Sequence, residues 1–201
     1  MIDPASHIDG QTPLDDLSGL KSKLIRTQAD LNAAEAENIR RAMVRYFVGS
    51  LPRRARSFDI ANLKRIHLEM FGLVWKWAGV FRVTQTNIGS APHLIEQDLH
   101  NLLENAKTWK ESGLSDSERI ARFHHGAVLI HPFPNGNGRW ARMITNIALR
   151  QEGHPIIMWP ETTLGGVSAI RAQYLASLRS ADRGEFSSLM ELIESCRRDD
   201  A

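Results

Sequence analysis

Fold and function are both indicated by one stretch of the chain, Ile130-His-Pro-Phe-Pro-Asn-Gly-Asn-Gly-Arg-Trp-Ala-Arg142. Asn and Gly tolerate positive φ angles, so the backbone N–H groups of residues 135–138 can converge on an anion. The helix predicted to follow adds unpaired N–H donors and the positive end of its dipole. Arg139 and Arg142 are three residues apart and therefore share one helical face. The stretch predicts a site for a di- or triphosphate, beside which His131 can take a proton from a hydroxyl.

Helical patterns dominate the sequence on both sides of this stretch. Thr27-Gln-Ala-Asp30 resembles a capping box and opens a helix predicted over residues 27–48. Ser115-Asp-Ser-Glu118 is a second capping box, which opens the helix that leads into residues 131–142, the motif loop and the start of the next helix. Strand and helix patterns do not alternate, which argues against a parallel sheet.

One segment departs from the helical pattern. Residues 80–95 are rich in β-branched side chains and are interrupted by Gly89-Ser-Ala-Pro92, which favours a two-stranded hairpin. Because a lone hairpin is marginal in water, it must lie on the helices. We therefore expect an all-α fold, mainly a helical bundle, with one small β-hairpin flap. An extended arm over residues 1–20 is expected to precede a single domain over residues 21–201.

Composition excludes several classes of protein. The 201 residues carry a net charge of +2, from 25 Lys and Arg against 23 Asp and Glu, which gives no strong field for nucleic acid or an anionic membrane. No run approaches the ~18 apolar residues of a membrane span, and no secretory signal is recognisable. Cys196 alone excludes a disulfide framework, and His124 and His125 are interpreted as core histidines. We expect a cytoplasmic protein that binds neither nucleic acid nor membrane.

Residues 131–142 resemble the motif of the Fic family, commonly written HPFx(D/E)GNGRxxR. Here the motif reads HPFPNGNGRWAR and matches all but one of the defining positions. Trp77-Ala-Gly-Val-Phe-Arg82 is similar to the family's lead into its substrate-positioning hairpin. Residues 32–39 and the Thr-Pro-Leu run at Thr12 resemble the subgroup called mobile mystery protein B.

The resemblance implies a nucleotidyltransferase that moves AMP from ATP to a Ser, Thr or Tyr hydroxyl of a target protein (AMPylation), with Mg²⁺. His131 would be the base that activates the hydroxyl. The phosphates would be bound by Gly136, Asn137, Gly138, Arg139 and Arg142. The target would dock on the hairpin along Thr86, Asn87, Ile88, His93 and Leu94. The resemblance also implies self-association or a regulatory partner, in a setting like that of a toxin and its antitoxin.

Asn135 departs from the family's common pattern, which has Asp or Glu there as a ligand of Mg²⁺. An amide oxygen can coordinate but brings no charge to a hard cation, so Asn135 is expected to be a weak metal ligand. Three alternatives follow. The chain is an AMP transferase with weaker metal affinity, an enzyme that transfers phosphate or uses another donor, or a weakened or inactive nucleotide-binding regulatory module.

An inhibitory helix is a further expectation from the resemblance. Glu37 matches the end of the family's inhibitory pattern, (S/T)xxxE(G/N), within residues 27–48, although the first position of the pattern is not matched. Glu35 is a second candidate, because the subgroup tends to have Glu there. In the family this Glu pairs with the second Arg of the motif, so the expected inhibitory pair is Glu37–Arg142. Alternatively, Glu37 pairs at the surface with Arg41, one turn further along.

Overall fold

The computed structural model describes residues 17–159 and 169–197, so most of the arm predicted over residues 1–20 lies outside them. The described residues form seven α-helices: α1 (Gln28–Phe47), α2 (Ile60–Phe71), α3 (Ile95–Glu111), α4 (Asp116–Ile130), α5 (Asn137–Gln151), α6 (Ala169–Ala181) and α7 (Ser187–Ser195). The all-α prediction is confirmed. Within these two ranges, no helix is both long and apolar enough to cross a membrane.

The predicted helix starts are confirmed by their caps. The Thr27 side chain accepts from the Asp30 N–H, and the Asp30 carboxylate accepts in return from the Thr27 N–H, at 2.9 Å, so both halves of the capping box are present. The Ser115 hydroxyl accepts from the Glu118 N–H and caps α4, which is the first half of the predicted capping box.

Two hydrophobic cores hold the helices together, and α5 borders both. The larger core lies among α1 to α5, with Trp75, Phe133 and Trp140 fully buried. The smaller core lies where α6 and α7 cover the ends of α4 and α5. The N-terminus of α5 is tied to α2, because the Trp140 indole N–H donates to the Leu63 carbonyl at 3.1 Å. The motif therefore emerges from the most buried part of the protein.

The two-stranded hairpin predicted over residues 80–95 is wrong. This segment is an irregular loop that ends in a 3-10 turn, Pro92–Leu94, and it contains no strand. A hairpin needs its two arms to bond to each other, whereas here the backbone bonds to the motif loop. The Arg82 N–H donates to the Pro132 carbonyl at 3.0 Å, and the Ser90 N–H donates to the Ile130 carbonyl at 3.1 Å.

Candidate functional site

The loop between α4 and α5 is shaped by two residues in the left-handed region, His131 with φ 51° and Gly136 with φ 77°. A Cβ atom on Gly136 would lie 2.6 Å from the Phe71 ring, so the position excludes any larger residue. The Asn137 side chain closes the loop: its Oδ1 accepts from the Phe133 N–H and its Nδ2 donates to the Phe133 carbonyl, both at 2.8 Å. The loop is thus a rigid, internally bonded turn.

The N-terminus of α5 presents unpaired backbone donors. No side chain caps it, and the first intrahelical bond is donated by Trp140, to Gly136 at 2.9 Å. The preceding N–H groups of Asn137, Gly138 and Arg139 therefore have no acceptor in the helix. A Cβ atom on Gly138 would meet nothing within 4 Å, so this end of the helix is open to a ligand. Asn137 can contribute to an anion site only through its backbone, because its amide is used inside the loop.

His131 is the histidine nearest to this terminus along the chain. Its side chain is buried, with 7% exposure, directly after α4. Burial lowers the pKa of His131 to about 4, a hydrogen bond with the Val128 backbone acts in the opposite direction, and the Arg82 charge lowers it further. The imidazole is therefore neutral at pH 7 and able to accept a proton.

Arg139 is held by a carboxylate from α1. Its guanidinium donates to Glu35 Oε2 at 2.6 Å and lies 4.8 Å from the centre of the Phe71 ring. The other oxygen of Glu35 accepts from the Trp75 indole N–H at 2.7 Å. Glu35 is 7% exposed, so this is a buried carboxylate with both oxygens engaged. A phosphate that binds Arg139 must compete with it.

The inhibitory pair expected between Glu37 and Arg142 is not formed. Glu37 accepts instead from the Nε atoms of Arg40 and Arg41, at 2.7 Å each, and these bonds lower its pKa to about 2. The surface alternative is therefore the correct one for Glu37. The reason is helical geometry: Glu37 follows Glu35 by two residues, or about 200° around α1, and so faces away from the motif.

Arg142 contacts α6 rather than α1. Its guanidinium lies 5.6 Å from the centre of the Tyr174 ring. The Tyr174 hydroxyl is 2.9 Å from Nε2 of His124, whose other nitrogen is 3.2 Å from the Thr145 hydroxyl. Burial lowers the pKa of His124 to about 3 and raises that of Tyr174. The interpretation of His124 as a core histidine is confirmed, and the two motif arginines are bound by different helices.

Asn135 takes part in the hydrogen bonding of the motif loop and brings no charge to a metal ion. Its side-chain oxygen accepts from the Gly136 N–H at 2.6 Å. No group of three or more His, Cys, Asp or Glu side chains that could hold a metal ion occurs in residues 17–159 and 169–197. The donor set at this position therefore does not fit a dedicated Mg²⁺ site.

His67 is a site residue that the motif does not reveal. It is fully buried, and its Nδ1 accepts from the Gly79 N–H at 2.9 Å, so the proton lies on Nε2. Nε2 donates to the Asn135 carbonyl at 3.1 Å, and the ring stacks on Phe133 at 3.7 Å. Burial lowers the pKa of His67 to about 3. The sequence signal that could have identified His67 is a histidine on the otherwise apolar face of α2.

The residues predicted to position a target are all on the surface of the loop 80–95. Thr86 is half-buried and the others are exposed: Asn87, Ile88, His93 and Leu94. They are distributed over the loop and the 3-10 turn rather than along a strand. Arg82, which anchors this loop, was expected only as part of the lead into it.

A family model described as the Fic/DOC family matches residues 57–149. The chain is 31% identical over 120 residues to the protein adenylyltransferase fic-1 of Caenorhabditis briggsae, across 58% of this chain and 22% of that protein. It is 30% identical over 122 residues to the protein adenylyltransferase Fic of Drosophila grimshawi, across 59% and 24%. The chain thus spans about a quarter or less of the length of these curated relatives.

Solved structures of similar fold cover more of the chain. BepC from Bartonella tribocorum, with bound AMPPNP, superposes with a TM-score of 0.68 at 20% identity, over 96% of each chain. Residues 134–508 of Fic-1 from C. elegans superpose with a TM-score of 0.63 at 22% identity, over 81% of this chain and 47% of that one. At these identities the likeness establishes the fold.

Proposed function

Because the chain belongs to the Fic/DOC family, we propose that it transfers AMP from ATP to a hydroxyl side chain of a protein. One observation carries the proposal: a buried, neutral His131 and the open N-terminus of α5 are joined by one rigid turn. The proposed activity agrees with the names of two relatives, each of which is called a protein adenylyltransferase. His131 supplies a base, and the N-terminus of α5 supplies donors for phosphate oxygens.

The reaction assigns a step to each group. The unprotonated ring nitrogen of His131 takes the hydroxyl proton while the hydroxyl oxygen attacks the α-phosphorus of ATP. A new phosphorus–oxygen bond forms, the bond between the α-phosphorus and its bridge to the β-phosphate breaks, and pyrophosphate leaves. The N–H groups of Asn137, Gly138 and Arg139 bind the phosphates. Arg139 and Arg142 neutralise charge on the leaving group.

Glu35, rather than Glu37, is the inhibitory residue in this proposal. Its carboxylate is paired with the Arg139 guanidinium, the group that would bind the terminal phosphates of ATP. The Trp75 indole holds the carboxylate in place from the other side. Arg139, the first motif arginine, is therefore the one kept from the phosphates. The expected inhibitory pair instead involved Arg142, the second motif arginine.

A nucleotide-binding module with little or no transfer activity is the second candidate. It is favoured by Asn135, whose oxygen bonds to Gly136 and which contributes no carboxylate for Mg²⁺. In either case we attribute no step of the reaction to Mg²⁺. A target protein would dock along the exposed part of the loop 80–95 by backbone contacts. A cytoplasmic location and a regulatory partner stay predictions from the sequence.

Labelled ATP distinguishes the two candidates. Wild type and Asn135→Asp are incubated separately with α-labelled and γ-labelled ATP in Mg²⁺ and in Mn²⁺. The transferase proposal expects wild type to incorporate the α-label, with the Asp variant requiring less metal for the same rate. A silent wild type beside an active Asn135→Asp variant would establish the module. Incorporation of the γ-label alone would establish phosphate transfer and contradict both.

A further inference from the structure

Arg82 is buried at 3% exposure yet has no carboxylate partner among the residues that the structure describes. Its guanidinium donates only to backbone carbonyls. Nε donates to His131 at 2.7 Å and NH1 to Thr84 at 2.9 Å, while NH2 donates to Ser90 and lies 3.5 Å from the Ile130 oxygen. A buried cation is costly unless such bonds satisfy it, so each of these carbonyls is held firmly.

The acceptors of Arg82 belong to two different parts of the molecule. Thr84 and Ser90 lie near the two ends of the exposed part of the loop 80–95, whereas His131 and Ile130 belong to the end of α4. One planar group therefore bonds both ends of the loop to the backbone of the proposed base. Lysine cannot do this, because its donors share one nitrogen atom whereas the guanidinium donates in several directions.

Gly89 provides a second observation on the same contact. It has φ 113°, and a Cβ atom there would lie 2.6 Å from the Arg82 guanidinium and 2.8 Å from Cβ of His131. The loop thus lies directly against His131, at a distance that only glycine permits. The contact between loop and base is therefore close on the side of Arg82 and on the side of Gly89.

We propose that Arg82 is a positioning residue that holds the loop 80–95 and His131 as one unit, so that a target docked on the loop is presented to the base. This inference rests on the proposed function for its catalytic consequence. It does not involve nucleotide binding, because Arg82 contacts neither the N-terminus of α5 nor the motif arginines. Loosening the Arg82 contacts should therefore reduce transfer while ATP binding is retained.

Two variants test the inference, with a third as a matched control. Arg82→Lys keeps the charge but loses the planar set of donors, and Gly89→Ala pushes the loop away while Arg82 is kept. Arg150→Lys is the control, because Arg150 also donates to backbone carbonyls, those of Tyr46 and Gly49, at the far end of α5. All three are compared with wild type for folded fraction and for AMPPNP affinity by calorimetry.

Hydrogen exchange gives a readout that does not depend on activity. In Arg82→Lys and in Gly89→Ala, the Ser90 amide, which donates to Ile130, should exchange on the order of 10- to 100-fold faster than in wild type. The ring resonances of His131 should shift in both. AMPPNP affinity should stay within about two-fold, because the phosphate site is unchanged.

Self-labelling from α-labelled ATP gives the catalytic readout, measured per folded molecule at saturating ATP. A drop of about ten-fold or more in both test variants, with Arg150→Lys near wild type, supports the positioning role. Unchanged Ser90 exchange, or an equal loss of rate in Arg150→Lys, would overturn it. If neither wild type nor Glu35→Gln labels, the proposed function fails, whereas the exchange and resonance comparisons still decide whether Arg82 holds the loop to His131.

Discussion

Replacing Glu35 by Gln should release Arg139 with little change to the fold. The variant removes the negative charge that accepts from Arg139 at 2.6 Å. Its amide still carries an oxygen, which can accept from the Trp75 indole N–H as the carboxylate does at 2.7 Å. The substitution therefore separates the charge of Glu35 from its place in the core.

The size of the effect follows from the burial of the pair. The Glu35 side chain is 9% exposed and that of Arg139 is 32% exposed, so the bond is only partly screened by solvent. A hydrogen bond between charged groups of this kind contributes about 1.5–3 kcal/mol, which wild type loses when ATP takes the guanidinium. The Gln variant does not lose it, so its ATP affinity should be higher by about 10- to 100-fold.

Calorimetric titration with AMPPNP measures this directly, and Glu37→Gln is the matched control. Within residues 17–159 and 169–197, Glu37 bonds only to Arg40 and Arg41, on the solvent side of α1, so its variant should bind AMPPNP as wild type does. The reasoning is refuted if Glu35→Gln binds no more tightly than wild type, or if Glu37→Gln gains the same affinity. Transfer of the α-label should rise with affinity in Glu35→Gln alone.

Three further predictions concern stability. His67 and His124 have pKa values of about 3 in the folded protein and bind protons more readily when unfolded, so stability is lost as the pH falls below about 6.5. The free energy of unfolding from urea denaturation should be lower at pH 5 than at pH 7 by about 2 kcal/mol for each histidine. Equal urea midpoints at the two pH values would contradict this. Gly136→Ala should lower the melting temperature by several degrees and abolish AMPPNP binding, because its Cβ meets the Phe71 ring at 2.6 Å; normal binding would show that the turn adapts. Asn137→Ala removes both bonds that close the motif loop and should cost about 2–3 kcal/mol in denaturant unfolding, whereas a loss below about 0.5 kcal/mol would show that the loop closes without them.

Local signals in the sequence were sufficient to predict the helices and to identify the residues of the motif. The capping box at Thr27 and the N-cap at Ser115 act between residues three apart, so they can be recognised without knowledge of the fold. The turn at Gly136 likewise follows from the conformational freedom of glycine. For these features the local preference and the final structure agree.

The loop 80–95 shows where local signals fail. Its β-branched residues favour extended backbone, but they do not determine which backbone it bonds to. Arg82 and Ser90 bond to the end of α4, about 40 or more residues further along the chain. Strand propensity reflects packing as much as backbone preference, so it predicted a hairpin where tertiary contacts give a loop.

Glu35, the residue we propose as inhibitory, illustrates a signal that was present in the sequence but was outweighed by the family pattern. Leu31, Glu35 and Ala42 lie on the buried face of α1 at helical spacing, so Glu35 occupies a core position and Glu37 does not. The pattern nevertheless favoured Glu37. The partner of Glu35 could not have been predicted, because the distance from α1 to Arg139 depends on how the helices pack.

The most direct measurement of AMP transfer by this site uses the Glu35→Gln protein, with and without the further change His131→Asn. Asn tolerates the left-handed backbone at this position, so the second change removes the base but keeps the turn. Intact-mass spectrometry and analysis of the released product follow incubation with ATP. We expect an AMP adduct on Glu35→Gln with release of pyrophosphate, and no adduct on the double variant. An adduct that persists without His131, a phosphate adduct, or no adduct on either protein would contradict the proposed function.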